Sequence, residues 1–138
     1  MAGYSGTPLA TKLGIKPGFT VAALHAPGEF ASLLDPIPAE VRLGQRLTAA
    51  TDLVIAFYDR RSAMVREVPR LRAAAFPDHS IWFAWPKKSS GRATDITEDV
   101  IREVVLPTGL VDVKVCAIDD TWSGLKCVVR KELRKGQS

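Results

Sequence analysis

Three short apolar runs punctuate the chain: Phe19-Thr20-Val21-Ala22-Ala23-Leu24, Asp52-Leu53-Val54-Ile55-Ala56-Phe57 and Ile81-Trp82-Phe83-Ala84-Trp85. Each is nearly uncharged and bounded by turn residues, the pattern of a strand buried on both faces. Thr7 before Pro8 predicts a helix over residues 8–13, with Thr7 as N-cap and Gly14 as the stop. Lys16-Pro17-Gly18 is a turn. Residues 29–34 predict a short helix broken by Asp35-Pro36 and Pro38, and residues 41–51 are ambiguous. Ser62 is placed to cap a helix with Val65, Val68 and Leu71 on one face. Pro69 removes the bond to Val65 and predicts a kink, or two abutting pieces, up to Ala75. Asp95 and Glu98 have capping-box spacing, so residues 96–105 should be a helix with Val100, Ile101, Val104 and Val105 inward. Strands over 111–118 and 125–130 then form a hairpin across Asp119-Asp120-Thr121-Trp122-Ser123-Gly124.

Buried strands alternating with helices require right-handed crossovers and a parallel sheet covered on both faces. The expectation is one three-layer α/β domain, residues 1–130, whose mostly parallel sheet ends in a C-terminal antiparallel hairpin. Residues 131–138 then form a short basic tail.

Composition narrows the class. With 46% hydrophobic and 25% charged residues, disorder is excluded. No apolar run approaches the ~18 residues of a membrane span, and residues 1–18 lack the apolar core of a signal peptide. A cytoplasmic protein without membrane contact is expected. Cys116 and Cys127 read as buried reduced thiols that hairpin pairing can place opposite each other. Together with His25 and His79 they show no zinc spacing, so no metal is expected. Of the net charge of +4, the last nine residues contribute +3. This favours a solvated end over a polyanion-binding arm, and nucleic acid is not the expected partner.

Leu13-Gly14-Ile15-Lys16-Pro17-Gly18-Phe19-Thr20-Val21 resembles the "L-x-x-K-P-G-x-x-V" lead into the first strand of class I S-adenosylmethionine-dependent methyltransferases. The closing hairpin is similar to theirs as well. The resemblance implies a truncated, methyltransferase-like Rossmann sheet. The family continues roughly "L-D-x-G-x-G-x-G", whose glycines let the backbone approach the cofactor. Here Ala23 replaces the acid, His25 and Pro27 replace glycines, and Gly28 remains. Too few residues separate Leu24 from Asp52 for two complete strand-helix units, and residues 41–51 supply no acid for a ribose. Over nearly its whole length the chain looks more like the domain of unknown function 3052 family of small actinobacterial proteins. The carrying stretches are Gly3-Tyr4-Ser5-Gly6-Thr7-Pro8-Leu9, Trp85-Pro86-Lys87-Lys88-Ser89-Ser90-Gly91 and the run from Gly109-Leu110-Val111-Asp112 to Thr121-Trp122-Ser123-Gly124-Leu125. That resemblance brings no activity with it.

Ligands of open α/β sheets gather beyond the carboxyl ends of the strands, where strand order reverses. This selects His25, Gly28, Glu29, Asp59, Arg60, Lys87, Lys88, Ser89, Ser90, Asp119, Asp120 and Trp122 as ligand-binding candidates. Residues 87–91 suit a phosphate or carboxylate but lack phosphate-loop spacing, and a solvated turn competes with that reading. His25 is either a base oriented by Glu29 or Asp59, or a hydrogen-bonded structural residue. His79 should be exposed. In the hairpin, an aspartate accepting backbone N–H groups, Gly124 at positive φ and Trp122 packed on the sheet compete with Trp122 as a stacking platform for an adenine-like base. Arg60, Arg61, Arg66, Arg70 and Arg72, with Glu67 their only nearby acid, form a solvated face or a dock for an acidic surface. The catalytic residues cannot be assigned. The leading expectation is a non-catalytic or degenerate methyltransferase-like domain binding a small anionic ligand or a protein partner. The alternative is a minimal transferase using S-adenosylmethionine or a nucleotide.

Overall fold

A computed structural model of the chain describes residues 7–134. The elements run α1 (Leu9–Leu13), β1 (Thr20–Leu24), α2 (Phe30–Leu33), β2 (Arg42–Gly44), β3 (Leu53–Phe57), α3 (Arg61–Ala75), β4 (Ser80–Pro86), α4 (Glu98–Val105), β5 (Leu110–Ala117) and β6 (Trp122–Val129). They build one six-stranded sheet of order β2-β1-β3-β4-β6-β5. Strands β1 to β4 pair in parallel, and β6 lies antiparallel between β4 and β5. One face packs Leu13, Phe30, Phe57, Trp82 and Trp122. The other packs Met64, Val68, Leu71, Ile101 and Val105 from α3 and α4. This is the expected three-layer Rossmann-like sheet with a closing hairpin. Strand order reverses between β1 and β3, which fixes where a ligand crevice opens.

The apolar runs became strands because both faces are covered: all five residues of β3 are buried. The ambiguous segment contains β2, three exposed edge residues with no burial pattern to betray them. Helix α1 has Pro8, not Thr7, at its N-cap position, and Gly14 closes it at φ 86°.

Several local expectations are corrected. Helix α3 runs unbroken through Pro69, so it is not two abutting pieces, and its N-cap position is Arg60 rather than Ser62. Val65 and Pro69 both lie on the exposed side, where water can take the carbonyl that proline leaves free. The buried stripe is Met64, Val68, Leu71 and Ala75, with Val65 outside. Asp95 caps no capping box. Its Oδ1 accepts from Arg61 N at 2.7 Å and so serves the start of α3. Helix α4 is capped by Thr97, whose Oγ1 accepts from Val100 N at 3.2 Å. Gly124 lies inside β6 without a positive φ; a Cβ there would stand 3.0 Å from Trp82 Cε3, so glycine is needed for close approach instead.

Cys116 faces Gly124 and Cys127 faces Asp112, because β6 begins at Trp122 and not at residue 125, so the tighter turn pairs Ala117 with Ser123; an irregularity between Asp112 and Lys114 moves Cys127 by one further residue. Both thiols are free and buried. Burial, then the charge of Asp112, pushes Cys127 up to about 12, and burial also raises Cys116. Both therefore stay protonated at neutral pH. His79 is partly buried, with Nδ1 3.3 Å from the Ala74 carbonyl. Beyond β6, Lys131–Leu133 form a 3-10 turn, and Leu133 packs on the α3–α4 side of the core. The start of the basic segment is thus held against the domain, and residues 135–138 lie outside the described residues. Among the described residues no helix is long and apolar enough to cross a membrane.

Gly109 precedes β5 at φ 97°, and a Cβ there would meet Leu133 Cδ1 at 2.8 Å. Gly109→Ala is expected to cost about 1–2 kcal/mol from left-handed strain. Urea denaturation checks this, and an unchanged midpoint would contradict it.

Candidate functional site

The chain leaves β1 at His25, a non-glycine residue held at φ 58°. That region is open to glycine and disfavours other side chains. The imidazole meets the middle of α3, where Nε2 lies 3.0 Å from Glu67 Oε1. The same oxygen accepts a short hydrogen bond from Tyr58 Oη. Tyr58 follows β3 directly and is buried. Glu67 stands one helical turn beyond Ala63, on the side of α3 nearest the strand ends. Burial by itself would raise the Glu67 carboxyl. Hydrogen bonds from Tyr58 and His25, then the charges of His25 and Arg70, outweigh that and hold it below its ordinary value. Burial first, and Glu67 second, push the Tyr58 hydroxyl far up, so it remains a donor.

Beside this network lies a cleft of about 340 Å³ lined by His25, Pro27, Phe57, Tyr58, Asp59, Ala63, Arg92 and Trp122. It opens at the ends of β1 and β3, the point of strand-order reversal. Across it, Arg92 Nη2 donates to Asp59 Oδ2 at 3.0 Å, with both side chains substantially exposed. The Arg92 guanidinium also sits 5.1 Å from the centroid of the Trp122 ring. Trp122 is only 5% exposed and packs edge-on against Phe57 at 5.1 Å, so it is a wall and not an open stacking platform. An exposed ion pair such as Asp59–Arg92 contributes at most about 1 kcal/mol, so a ligand anion could exchange with the aspartate at little expense. Of the groups able to act as covalent nucleophiles the lining offers His25, Tyr58 and Asp59, and each is already hydrogen-bonded or ion-paired.

A second cleft, about 520 Å³, lies between the β1 exit and β2 and is lined by Ala23, His25, Gly28, Phe30, Leu43, Gln45 and neighbours. It has no acidic lining residue.

The expected candidates divide accordingly. His25, Asp59 and Trp122 converge on the first cleft, while Gly28 and His25 border the second. The partner of His25 is Glu67, not Glu29 or Asp59. Glu29 is exposed and bounds α2, and Arg60 is exposed at the head of α3; neither lines the clefts. Lys87, Lys88, Ser89 and Ser90 form a 3-10 turn outside both clefts, with Ser90 Oγ donating to the Lys87 carbonyl at 2.6 Å. Asp119 is structural: its Oδ1 accepts from Thr121 N and Trp122 N at 2.8 and 2.7 Å. Asp120 is exposed and lines neither cleft. Sequence reading missed Arg92 and the roles of Tyr58 and Glu67. The one signal was Glu67 itself, a lone acid among arginines.

The fold is that of class I S-adenosylmethionine-dependent methyltransferases. The chain superposes on a SAM-dependent methyltransferase from Aquifex aeolicus with a TM-score of 0.62 at 11% identity, covering 86% of each chain. It superposes on magnesium protoporphyrin IX methyltransferase from Synechocystis PCC 6803, solved with bound SAM, with a TM-score of 0.60 at 14% identity, covering 88% of this chain and 74% of that one. For the tRNA methyltransferase TrmK of B. subtilis the TM-score is 0.53 at 11% identity, covering 92% and 67%. No protein-family model and no curated protein sequence matches the chain.

Proposed function

We propose that this protein is a non-catalytic member of the methyltransferase fold that binds a small anionic ligand in the cleft between the β1 and β3 ends. The carrying observation is Arg92, poised over Trp122 at the strand-order reversal and held only by an exposed ion pair with Asp59. Its fork of donors suits a carboxylate or phosphate, and the apolar walls of Phe57, Ala63 and Trp122 suit the body of a small molecule. Against methyl transfer stands the β1 exit. Where the resembled family has glycine, His25 carries a ring tied to Glu67. Membership of the domain of unknown function 3052 family and a cytoplasmic location fit this reading.

One observation favours a second reading, a minimal S-adenosylmethionine-dependent transferase. The second cleft opens between the β1 exit and β2, beside Gly28. A cofactor there would have Gln45, and no carboxylate, near its ribose.

Thermal denaturation with citrate, inorganic phosphate or S-adenosylmethionine separates the two. Citrate or phosphate is expected to raise the melting temperature of the wild type saturably, and Arg92→Ala to abolish that rise. Stabilisation by S-adenosylmethionine alone selects the transferase.

A further inference from the structure

Away from both clefts, four lysines gather where α1 meets the β5–β6 hairpin. Lys114 and Lys126 stand directly opposite each other across the two strands. Lys114 Nζ donates to the Lys12 carbonyl at 3.3 Å, which brings β5 to the end of α1. Lys126 Nζ lies 4.0 Å from the position of a Cβ on Gly14, the residue that closes α1, and Lys16 follows two residues later. None of the four forms an ion pair with an acidic side chain among the described residues.

Like charges directly opposed on antiparallel strands are destabilising. A lysine on an edge strand has a ready structural reason, since it discourages strand addition by another chain, and this covers Lys114 on β5. It does not cover Lys126, which lies on the inner strand β6, pairs with the fully buried Trp82 and is itself partly buried. Burial first, then the charges of Lys114 and Lys16, push its ammonium below the ordinary lysine value. The fold thus keeps a partly buried cation against like charges, with no acidic side chain paired to it.

We propose that Lys12, Lys16, Lys114 and Lys126 form a binding site for a small polyphosphate, a group of two or three linked phosphates. Ammonium groups on flexible stems can converge on closely spaced anionic oxygens, and the charge of such a group matches several lysines at once. A nucleic-acid strand fits less well. The aromatic ring beside Lys126 is that of Trp82, fully buried and closed to base stacking. The site lies toward the amino ends of the parallel strands, since Lys16 precedes β1 and Lys126 pairs with the third residue of β4. It is therefore independent of Arg92 and of the cleft.

Isothermal titration with inorganic triphosphate at physiological ionic strength tests this, alongside thermal denaturation of the same samples. The wild type is expected to bind saturably. Lys114→Gln/Lys126→Gln is expected to weaken binding by about tenfold or more, one charge-assisted contact being worth roughly that factor. Without triphosphate the same variant should melt at a higher temperature than the wild type, because the opposed charges are gone. If Lys114 served only to hold the end of α1, its loss would instead lower the melting temperature. Arg130→Gln/Lys131→Gln, which removes equal charge elsewhere, should bind triphosphate as the wild type does. Equal weakening in the Arg130/Lys131 variant, undiminished binding by the Lys114/Lys126 variant, or binding of a single-stranded oligonucleotide that triphosphate does not displace each overturns the proposal.

Discussion

Trp82→Ala is expected to lower the unfolding free energy by about 3–5 kcal/mol, the range for removing a large buried aromatic side chain. Trp82 is fully buried at the centre of the sheet, between strands β3 and β6. Its indole Nε1 donates to the Leu13 carbonyl at 2.8 Å, tying the last residue of α1 to β4. Alanine would leave a cavity and strip that carbonyl of its donor. Trp82→Phe keeps most of the ring but not the N–H, and should cost about 1–2 kcal/mol through the orphaned carbonyl. Guanidinium denaturation of the three proteins checks the order. Equal stability of the phenylalanine variant and the wild type would show that the bond to Leu13 contributes nothing.

The second large effect falls on Glu67. Glu67→Leu removes the acceptor of the buried Tyr58 hydroxyl and the partner of His25, and should cost about 1–3 kcal/mol. His25 and Tyr58 both line the cleft, so loss of the anion response described for citrate or phosphate is expected as well. A pH dependence follows from the direction of the Glu67 shift. Its folded-state value is depressed, so its contribution is complete above the ordinary carboxylate value and fades as pH falls through the depressed one. Between neutral pH and strongly acid solution the wild type should therefore lose more stability than Glu67→Gln. Parallel stability curves for the two proteins would contradict this.

The sequence made β1, β3 and β4 legible because strands covered on both faces leave short, unbroken apolar runs. Strand β2 left no trace: three exposed residues at an edge carry no periodicity. Caps were misread where the partner was distant. Asp95 reaches 34 residues back to Arg61, which no local spacing can show. The hairpin was legible, but its tight turn was not: β6 begins at Trp122, and that register places Cys116 opposite Gly124, three residues from Cys127. The rule that ligands lie beyond strand ends brought His25, Asp59 and Trp122 to one cleft. It could not say that residues 87–90 curl away, or that Arg92, just past them, reaches back to Asp59. The His25–Glu67–Tyr58 network joins three elements, and only the packing of α3 against the sheet brings its members together.

The most direct measurement is native mass spectrometry of the protein gently purified from its source cells, before and after adding excess S-adenosylmethionine. Ligand binding without methyl transfer requires a small anionic adduct on the wild type that is lost in Arg92→Ala, and no adduct of S-adenosylmethionine mass at any concentration. A saturable S-adenosylmethionine adduct that persists in Arg92→Ala would contradict this and move the working site to the cleft beside Gly28.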